Sequence, residues 1–452
     1  MNKHVRNFSI IFLILIIGAI WWATRPVEAE LPLSATEGTD PVIGEGQPQK
    51  IPTVDIADAI GWQAGEKPTV PEGYTVEFYA DDLDHPRNLF TLPNGDVLVA
   101  ETNRPASEGG GGLTGRIMNY FFGKAGADAP TANRVTLLRD KNGDGKVDSR
   151  HVFAEGLNSP FGIALANGNI FIANTDAVLW WPYEDGQTQV EGKGKVLTNL
   201  AANAPNMHWT KNLVTSEDGN SLFIASGSNS NIQENGRDSE NGRARILQYD
   251  FTKNKKSNYA IGMRNPVGMD INPWTGDLWA VVNERDMYGS DMVPDYLTRV
   301  FEASDFGWPH HYWGGYTDER VQPAEPESRQ YEERPDYALG AHVAPLGLLF
   351  TDNLLLGGPF ARGAFVARHG SWNRVPLSGY DVVFVRFDTK GKPVGKPLSF
   401  LSGFLNADGE ARGRPTMLTA DRTGALLVSD DVGNRIWRVS RSGGPALPQS
   451  AQ

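Results

Sequence analysis

Six polar residues stand at or near the start of short apolar segments that recur along this 452-residue chain. One is a histidine, one is an asparagine and four are cations: His208, Lys211, Arg264, Asn265, Arg412 and Arg414. Histidine has an ordinary pKa of ~6.5 and accepts a proton near neutral pH, whereas arginine keeps its charge and matches carboxylates with two parallel hydrogen bonds. The chain is acidic overall, with 42 Lys and Arg against 54 Asp and Glu. Cations gathered at one place in such a chain predict an anionic ligand.

The apolar segments behind these residues repeat one pattern: an alternating strand, a glycine turn, a second strand and a polar ending. Asn-Gly, Asp-Gly and Thr-Gly between alternating apolar runs are strong hairpin signals. The copies begin at Pro86, Pro160, His208, Arg264, Ala344 and Arg414, and the fifth copy is interrupted before Ala361. No segment after residue 30 shows a sustained helical period of apolar residues.

Six repeated hairpin units predict an all-β fold, a six-bladed β-propeller, because closing the sheets into a ring hides the edges that an open all-β chain leaves exposed. A jelly roll or a double sandwich is the competing fold, but neither needs six similar copies. In a propeller the innermost strand of each blade starts near the central axis. The polar residues that open the copies are therefore expected to meet there, although they are far apart in sequence.

Residues 1–29 have the composition of an export signal or a membrane anchor, since Lys3 and Arg6 precede an apolar run at residues 8–24. Cleavage after Val27-Glu28-Ala29 and retention as an anchor are both open, and retention would bring membrane association through residues 8–24. We expect a linker at 30–70, the propeller as catalytic domain at 71–442 and a disordered tail at 443–452. The protein is expected to be periplasmic, secreted or anchored to the outer face of the cytoplasmic membrane.

The chain contains no cysteine. This excludes disulfides, thiolate zinc sites, iron–sulfur clusters, covalent haem attachment through cysteine and a lipoprotein anchor. No stretch forms a basic patch, so a nucleic-acid partner is not expected.

Several motifs follow one another in a specific order. They are NMHWTKNL around His208, GMRNPVGMD around Arg264, Ala-Pro before the fifth copy, Arg412-Gly-Arg414 near the last copy, NERD (283–286), FGWP (306–309), HGSWNR (369–374) and DDVGN (430–434). In these motifs the chain resembles the soluble sugar dehydrogenases that use pyrroloquinoline quinone (PQQ), and more closely their L-sorbosone dehydrogenase branch. The resemblance covers roughly residues 70–440.

The resemblance implies a role for each residue of the site. His208 corresponds to the general base, Arg264 and Asn265 to contacts with the quinone, and Arg412 and Arg414 to partners of its carboxylates. His369 or Arg374 stands where soluble glucose dehydrogenases carry a lysine, and Lys211 is a further cofactor-binding candidate. The cofactors implied are PQQ and Ca²⁺.

The family's calcium ion is bound partly by backbone carbonyls after the fourth blade. Here that stretch contains Glu284, Asp286 and Met287 instead of a Gly-Pro pair, and the Asp286 side chain is the candidate for an additional carboxylate ligand. A Gln or Glu that the family carries before the second blade is replaced here, with Asn158 as the nearest candidate.

A second, weaker calcium candidate is the D-x-N-x-D-G sequence formed by Asp140, Asn142, Asp144 and Asp148. His151 stands where an EF-hand loop needs a bidentate Glu, and the flanking sequences are typical of strands. A hairpin turn rich in Asp and Asn and a weak structural calcium site are both open.

The aromatic residues beside His310 and His311 suit a sugar, because aromatic faces stack on pyranose rings. They are Trp308, Tyr312 and Trp313. They equally suit a loop that packs over the top of the propeller, and both interpretations are open.

These features predict a periplasmic quinoprotein dehydrogenase that oxidises an aldose, a sorbosone-like sugar or a related sugar by hydride transfer to PQQ. His208 would accept the hydroxyl proton, and electrons would leave to a separate acceptor, a cytochrome or a membrane quinone, since no haem can be attached through cysteine. The alternative is a calcium-dependent lactonase-type six-bladed propeller hydrolase, which needs Glu, Asn and Asp around an axial metal instead of arginines. A propeller scaffold without enzymatic activity is the third hypothesis.

Overall fold

The computed structural model describes residues 26–105, 120–325 and 328–443. In these ranges the regular secondary structure is almost entirely β, and six sheets, antiparallel apart from the edge strand Ser304–Asp305, form the blades of a propeller. The inner strands of neighbouring blades contact one another in order around a closed ring. The expected six-bladed propeller is therefore confirmed.

Blades 1 to 3 follow one another along the chain, each with its innermost strand first. Blade 1 contains Pro86–Thr91, Val97–Glu101, Arg134–Arg139 and Ser149–Ala154. Blade 2 contains Ile163–Ala166, Asn169–Ala173, Ala177–Pro182 and Lys195–Asn199. Blade 3 contains Leu213–Thr215, Ser221–Ser226, Arg245–Asp250 and Lys255–Ile261, with Ser304–Asp305 added at its outer edge.

Blades 4 to 6 complete the ring. Blade 4 contains Asn265–Ile271, Leu278–Asn283, Pro294–Val300, Tyr337–Ala341 and an outer Glu37–Gly38. Blade 5 contains Pro345–Phe350, Gly363–Arg368, Asp381–Phe387 and Pro393–Leu401. Blade 6 contains Pro415–Ala420, Leu426–Asp430, Arg435–Arg441 and, as its outermost strand, Tyr74–Ala80.

The remaining elements are short. Residues 120–124 are α-helical. The two-stranded ribbon His311–Tyr312 and Tyr316–Thr317 lies outside the blades, and the 3₁₀-helices are Leu33–Thr36, Arg237–Glu240, Ser328–Tyr331 and Gly358–Phe360.

The hairpin signals of the sequence correspond to real turns. Gly95 follows Asn94 in the turn of the first copy and adopts a φ of +90°, a conformation that residues with a Cβ rarely adopt. Apolar residues of the strands then pack between neighbouring blades. Trp279 of blade 4, for example, lies edge-to-face against Phe350 and Phe387 of blade 5.

Residues 26–70, here called the N-terminal strap, pack on the propeller instead of forming a free linker. Glu37–Gly38 pairs with Tyr337–Ala341, and the indole of Trp62 is buried and donates to Asp430 Oδ2 over 2.7 Å. Backbone amides of the strap also donate to the rest of the protein, from Gln47 to the carbonyl of Tyr288 and from Thr69 to that of Ser402.

In the described ranges no helix combines the length and apolar character needed to cross a membrane. The expected signal or anchor at residues 8–24 lies outside the described residues, as does nearly all of the expected tail at 443–452.

Candidate active site

His208 precedes the inner strand of blade 3. Its Nδ1 lies 2.8 Å from the carbonyl oxygen of Ser228 and 3.0 Å from the hydroxyl of the same residue. Because a carbonyl only accepts, Nδ1 carries the hydrogen and Nε2 carries the lone pair. Burial, together with the charge of Arg264, lowers the pKa of His208 to about 3. The ring is therefore neutral at neutral pH, with Nε2 as its proton acceptor.

Arg264 and Asp286 form a buried ion pair next to this histidine. Arg264 Nη2 donates to Asp286 Oδ2 over 2.8 Å, while Nη1 donates to the carbonyl of Glu284 over 2.5 Å. The second oxygen of Asp286 lies 3.5 Å from Nδ1 of His342. Burial alone would raise the pKa of Asp286, but the Arg264 charge and the hydrogen bond from His342 outweigh it and lower that pKa. We call His208, Arg264, Asp286 and His342 the Asp286 cluster.

Asn265 contributes an unpaired polar atom to the same place. Its side chain is buried, and its Oδ1 has no hydrogen-bond partner in the described part of the chain. A Cβ added at Gly227 would lie 2.2 Å from this oxygen and 2.6 Å from Cβ of His208. Glycine at 227 thus allows the two side chains to pack closely against its backbone.

A second group of ionisable residues surrounds Asp431, at the end of the second strand of blade 6. Asp431 Oδ2 accepts from Arg87 Nη1 and, over 2.9 Å, from His369 Nε2, and it lies 3.6 Å from His85 Nε2. The other oxygen of Asp431 is buried without a partner among the described residues. Burial lowers the pKa of His369 to about 4, although Asp431 opposes this effect. We call His85, Arg87, His369 and Asp431, together with Arg414, the Asp431 cluster.

Arg414 is held by neutral groups in the described part of the chain. Its Nε donates to the carbonyl of His369 over 3.1 Å, and Nη2 donates to the carbonyl of Gly370 and the hydroxyl of Tyr380. The two clusters together therefore contain three arginines but only two carboxylates. The unbalanced positive charge suits an anionic ligand, as the sequence predicts.

The two clusters are linked across blades. The Arg87 guanidinium lies 5.9 Å from the ring of Trp209 and 6.0 Å from the ring of Phe161. Since Trp209 directly follows His208, both clusters border one region at the inner ends of the blades.

Three residues expected to bind the cofactor have their side chains engaged elsewhere. Lys211 is fully buried and donates to the carbonyls of His208 (3.2 Å) and Trp209 (3.4 Å). Its amine positions the backbone of the histidine and is not available to a ligand.

The other two side chains face the N-terminal strap or its neighbourhood. Arg412 pairs with Glu66 of the strap over 3.1 Å. Arg374 donates to the carbonyl of Pro376 and lies 3.7 Å from Asp291, which in turn accepts from the amide of Glu30. Both arginines thus pair with carboxylates far away in sequence, although Nε of Arg374 has no hydrogen-bond partner in the described part of the chain.

The residues expected to bind calcium do not fit that ion. Glu284 Oε2 accepts from Nε of Arg285 over 3.0 Å. The carbonyl of Asp286 accepts from Asn231 and Arg320, and the carbonyl of Met287 accepts from Arg320 and the amide of Gln49. A carbonyl oxygen has two lone pairs, so both carbonyls are saturated, whereas calcium takes six to eight oxygen ligands. Among the described residues no group of three or more His, Asp or Glu is arranged for a metal ion.

The second calcium candidate is a hairpin turn between the outer strands of blade 1. Asp140 accepts from the amides of Gly143 (2.7 Å) and Gly145 (2.8 Å), and Asp148 accepts from that of Lys141 (2.7 Å). Asn142 and Asp144 also accept from backbone amides two residues further on. The carboxylates organise the turn themselves, which favours the hairpin interpretation.

The aromatic residues of the 308–313 loop pack inside the protein. Trp308, Tyr312 and Trp313 are at most 6% exposed. Trp308 Nε1 donates to the carbonyl of Asn231 over 2.9 Å, and Tyr312 and Trp313 belong to the apolar core that includes Tyr296. The packing interpretation therefore holds, and these rings present no open face to a sugar.

Sequence reasoning missed several residues of the two clusters. His85 and Arg87 flank Pro86, the start of the first copy, just as Arg264 opens the fourth copy. Asp431 lies within the DDVGN motif. The start of the first copy therefore carries a signal for His85 and Arg87, but nothing local marks His342. Asn158 is exposed and bonds Asp176 over 2.9 Å, outside both clusters.

Comparison with known proteins adds to this geometry. A family model described as TrAA12-like matches residues 129–294 and 317–442. The pyrroloquinoline quinone-dependent pyranose dehydrogenase of Coprinopsis cinerea is 24% identical over 442 residues, covering 84% of this chain and 55% of that protein. This chain thus spans about half the length of that relative.

Two solved structures have the same fold. The holo form of the pyranose dehydrogenase PQQ domain from Coprinopsis cinerea has a TM-score of 0.66 at 20% identity, covering 86% of this chain and 100% of that one. The calcium structure of the Trichoderma reesei family AA12 enzyme has a TM-score of 0.66 at 20% identity, covering 83% and 97%.

Proposed function

This chain belongs to the TrAA12-like family, and from that premise we propose that it is a PQQ-dependent sugar dehydrogenase, an oxidoreductase acting on a hydroxyl carbon of a small sugar. The observation that carries the proposal is a neutral histidine, His208, beside Arg264 of the Asp286 cluster, with Arg87 of the Asp431 cluster 5.9 Å from the ring of the adjacent Trp209. Relatives named for PQQ support the choice of cofactor.

The residues present fit PQQ, a flat quinone with three carboxylates. Arg414 and Arg87 would pair with its carboxylates, and Asn265 would direct its unpartnered amide oxygen, or its NH₂ group after rotation, at the quinone edge. Gly227 lies between Asn265 and His208 and allows both side chains to approach closely, since a Cβ at this position would clash with both. When bound, the quinone supplies the hydride acceptor that no side chain can provide.

His208 would remove the proton from the sugar hydroxyl. Its Nδ1 is fixed by Ser228, which directs Nε2 away from the backbone, and Lys211 holds the carbonyl of His208 itself. A base positioned in this way is worth ~10²–10⁴-fold in rate. The pKa of about 3 rises when negative charge enters the site, because a nearby anion favours the imidazolium.

We propose an aldose or a sorbosone-like sugar as the substrate, supported by the HGSWNR and DDVGN motifs. Both motifs contribute to the Asp431 cluster through His369 and Asp431. The absence of cysteine supports electron transfer to a separate cytochrome or membrane quinone.

We also propose that the propeller works outside the cytoplasmic membrane, supported by Lys3, Arg6 and the apolar run at residues 8–24. Cell fractionation tests this, and full-length protein recovered from the cytoplasm would contradict it. N-terminal sequencing of the exported form distinguishes cleavage near residue 29 from retention as an anchor.

The activity is tested by reconstituting purified protein with PQQ and measuring dye reduction with a panel of aldoses and ketoaldoses. We expect sugar-dependent reduction of the dye and a PQQ absorbance band that remains after gel filtration. Lactone hydrolysis without dye reduction would instead support the hydrolase. For that enzyme the described residues offer no cluster of three metal-binding His, Asp or Glu side chains.

A further inference from the structure

We propose that the guanidinium of Arg320 takes the place of a divalent cation at the turn formed by residues 284–288, so that PQQ binding in this chain does not require calcium. The inference rests on the proposed function for its cofactor, but its structural part concerns the apo protein alone.

The first observation is the geometry of Arg320, whose three nitrogens are all engaged. Nε and Nη2 donate to the two oxygens of Asp318 over 2.8 and 2.7 Å, a bidentate pair. Nη1 donates to the carbonyl of Met287 over 2.8 Å and to that of Asp286 over 3.2 Å. The guanidinium also lies 4.2 Å from the ring centroid of Tyr288. The guanidinium of Arg320 thus binds two carbonyls and one carboxylate, the oxygen types that calcium prefers.

The second observation is the charge balance around the turn. Three arginines pair with three carboxylates: Arg264 with Asp286, Arg285 with Glu284, and Arg320 with Asp318. Side chains of Arg285 and Asp318 are 0% exposed, and that of Arg320 is 14% exposed. Because each of these carboxylates is already paired with a guanidinium, none of the three offers a free negative charge to a divalent cation in this poorly solvated region.

The third observation connects the turn to the site. The carbonyl of Asp286 accepts from Arg320, while the carboxylate of the same residue accepts from Arg264 of the Asp286 cluster. A cation that fixes the backbone at Asp286 and Met287 therefore also fixes the guanidinium that lies beside His208. Arg320 is in this sense a positioning residue, acting on the site through Asp286.

The experiment measures calcium binding to apo protein by isothermal titration calorimetry, in an Asp144→Ala background so that the hairpin of blade 1 does not contribute. We expect no binding heat and no calcium-induced rise in melting temperature. PQQ affinity, measured by absorbance titration, is expected to be equal in EDTA and in excess calcium. Calcium binding to this background, or PQQ binding that occurs only with calcium, would overturn the proposal.

The variant Arg320→Ala sharpens the test, because it frees two carbonyls and both oxygens of Asp318 from the guanidinium. It is expected to lower PQQ affinity about tenfold and to regain that affinity, with a higher melting temperature, when calcium is added. Arg237→Ala is the matched control, since Arg237 is 83% exposed, and it should behave as the parent protein does. Unchanged PQQ affinity in Arg320→Ala would contradict the positioning role.

The two proposals fail in different ways. If PQQ binds neither with nor without calcium, the proposed function is wrong, while the calorimetry of the apo protein still decides whether Arg320 excludes the metal. If Arg320→Ala does not fold, the measurements on the parent protein remain decisive.

Discussion

The Asp286 and Asp431 clusters use the same residue types in different ways. In the Asp286 cluster the carboxylate is occupied by Arg264 and His342, and His208 is held by a backbone carbonyl through Nδ1. In the Asp431 cluster the carboxylate binds His369 directly through Nε2. A histidine whose second nitrogen remains free suits proton transfer, whereas a histidine tied to a carboxylate suits the positioning of charge.

The arginines of the two clusters also differ, in whether a carboxylate already neutralises their charge. Arg264 already has a carboxylate partner, while Arg414 contacts only carbonyls and a hydroxyl in the described part of the chain. The Asp431 cluster therefore has more capacity for an incoming anion. We infer a division of labour in which chemistry takes place at the Asp286 cluster and binding of carboxylates at the Asp431 cluster.

The largest expected effect concerns the two histidines. His208→Gln should lower kcat per bound quinone by ~10²–10⁴-fold with PQQ affinity almost unchanged, because a base acts mainly in the transition state. His369→Gln should lower kcat far less. Turnover normalised to titrated PQQ measures both. A larger kcat loss in His369→Gln would reverse the assignment of the two clusters.

The second comparison is between the two carboxylates. Asp431→Asn leaves Arg87 and His369 without their counter-charge and should cost about 3–5 kcal/mol in the free energy of unfolding. Asp286→Asn should cost less, since Arg264 keeps its hydrogen bonds to the carbonyls of Asn231 and Glu284. Urea denaturation of the apo proteins measures both losses in the free energy of unfolding. Equal losses in the two variants would contradict this prediction.

A third prediction separates two arginines that are two residues apart. Arg414→Ala should weaken PQQ binding by about tenfold to hundredfold, the loss of one charge-assisted hydrogen-bonded pair, and excess PQQ should restore activity. Arg412→Ala is the control, because Arg412 already pairs with Glu66. Absorbance titration measures both affinities. A greater loss in Arg412→Ala would mean that the cofactor displaces the strap from this arginine.

The smallest expected effect is a pH dependence of stability in the apo protein. The folded pKa of His208 is about 3, below the ordinary value of 6.5, so the unfolded chain binds the proton first. Stability from this residue is complete above ~6.5 and is lost as the pH falls towards about 3. As the pH is lowered from 7.5 to 5, the melting temperature of His208→Gln should therefore fall less than that of the parent protein. Equal falls in melting temperature for the two proteins over this pH range would contradict the low pKa of His208.

Local sequence signals were sufficient for the fold. Alternating apolar runs separated by Asn-Gly and Asp-Gly turns define hairpins, and six similar hairpins close into a ring. The same repetition predicts where His208, Arg264 and Arg414 lie, because the residue that opens each copy is placed at the inner end of its blade. In a fold built of repeats, equivalent positions in the sequence of each repeat occupy equivalent places in the structure.

Only the tertiary structure decided which of these side chains are free. Arg412 and Arg414 belong to one motif, yet Arg412 pairs with Glu66, a residue of the strap that has no repeat to place it. Arg320 saturates the carbonyls at which calcium was expected, from a loop outside the blades. Charges and hydrogen-bond acceptors are satisfied through space, and their partners here lie tens to hundreds of residues away. Residue type and spacing therefore determined the architecture and the candidate site. Which charged side chains already have a partner depended on long-range contacts that no local sequence pattern contains.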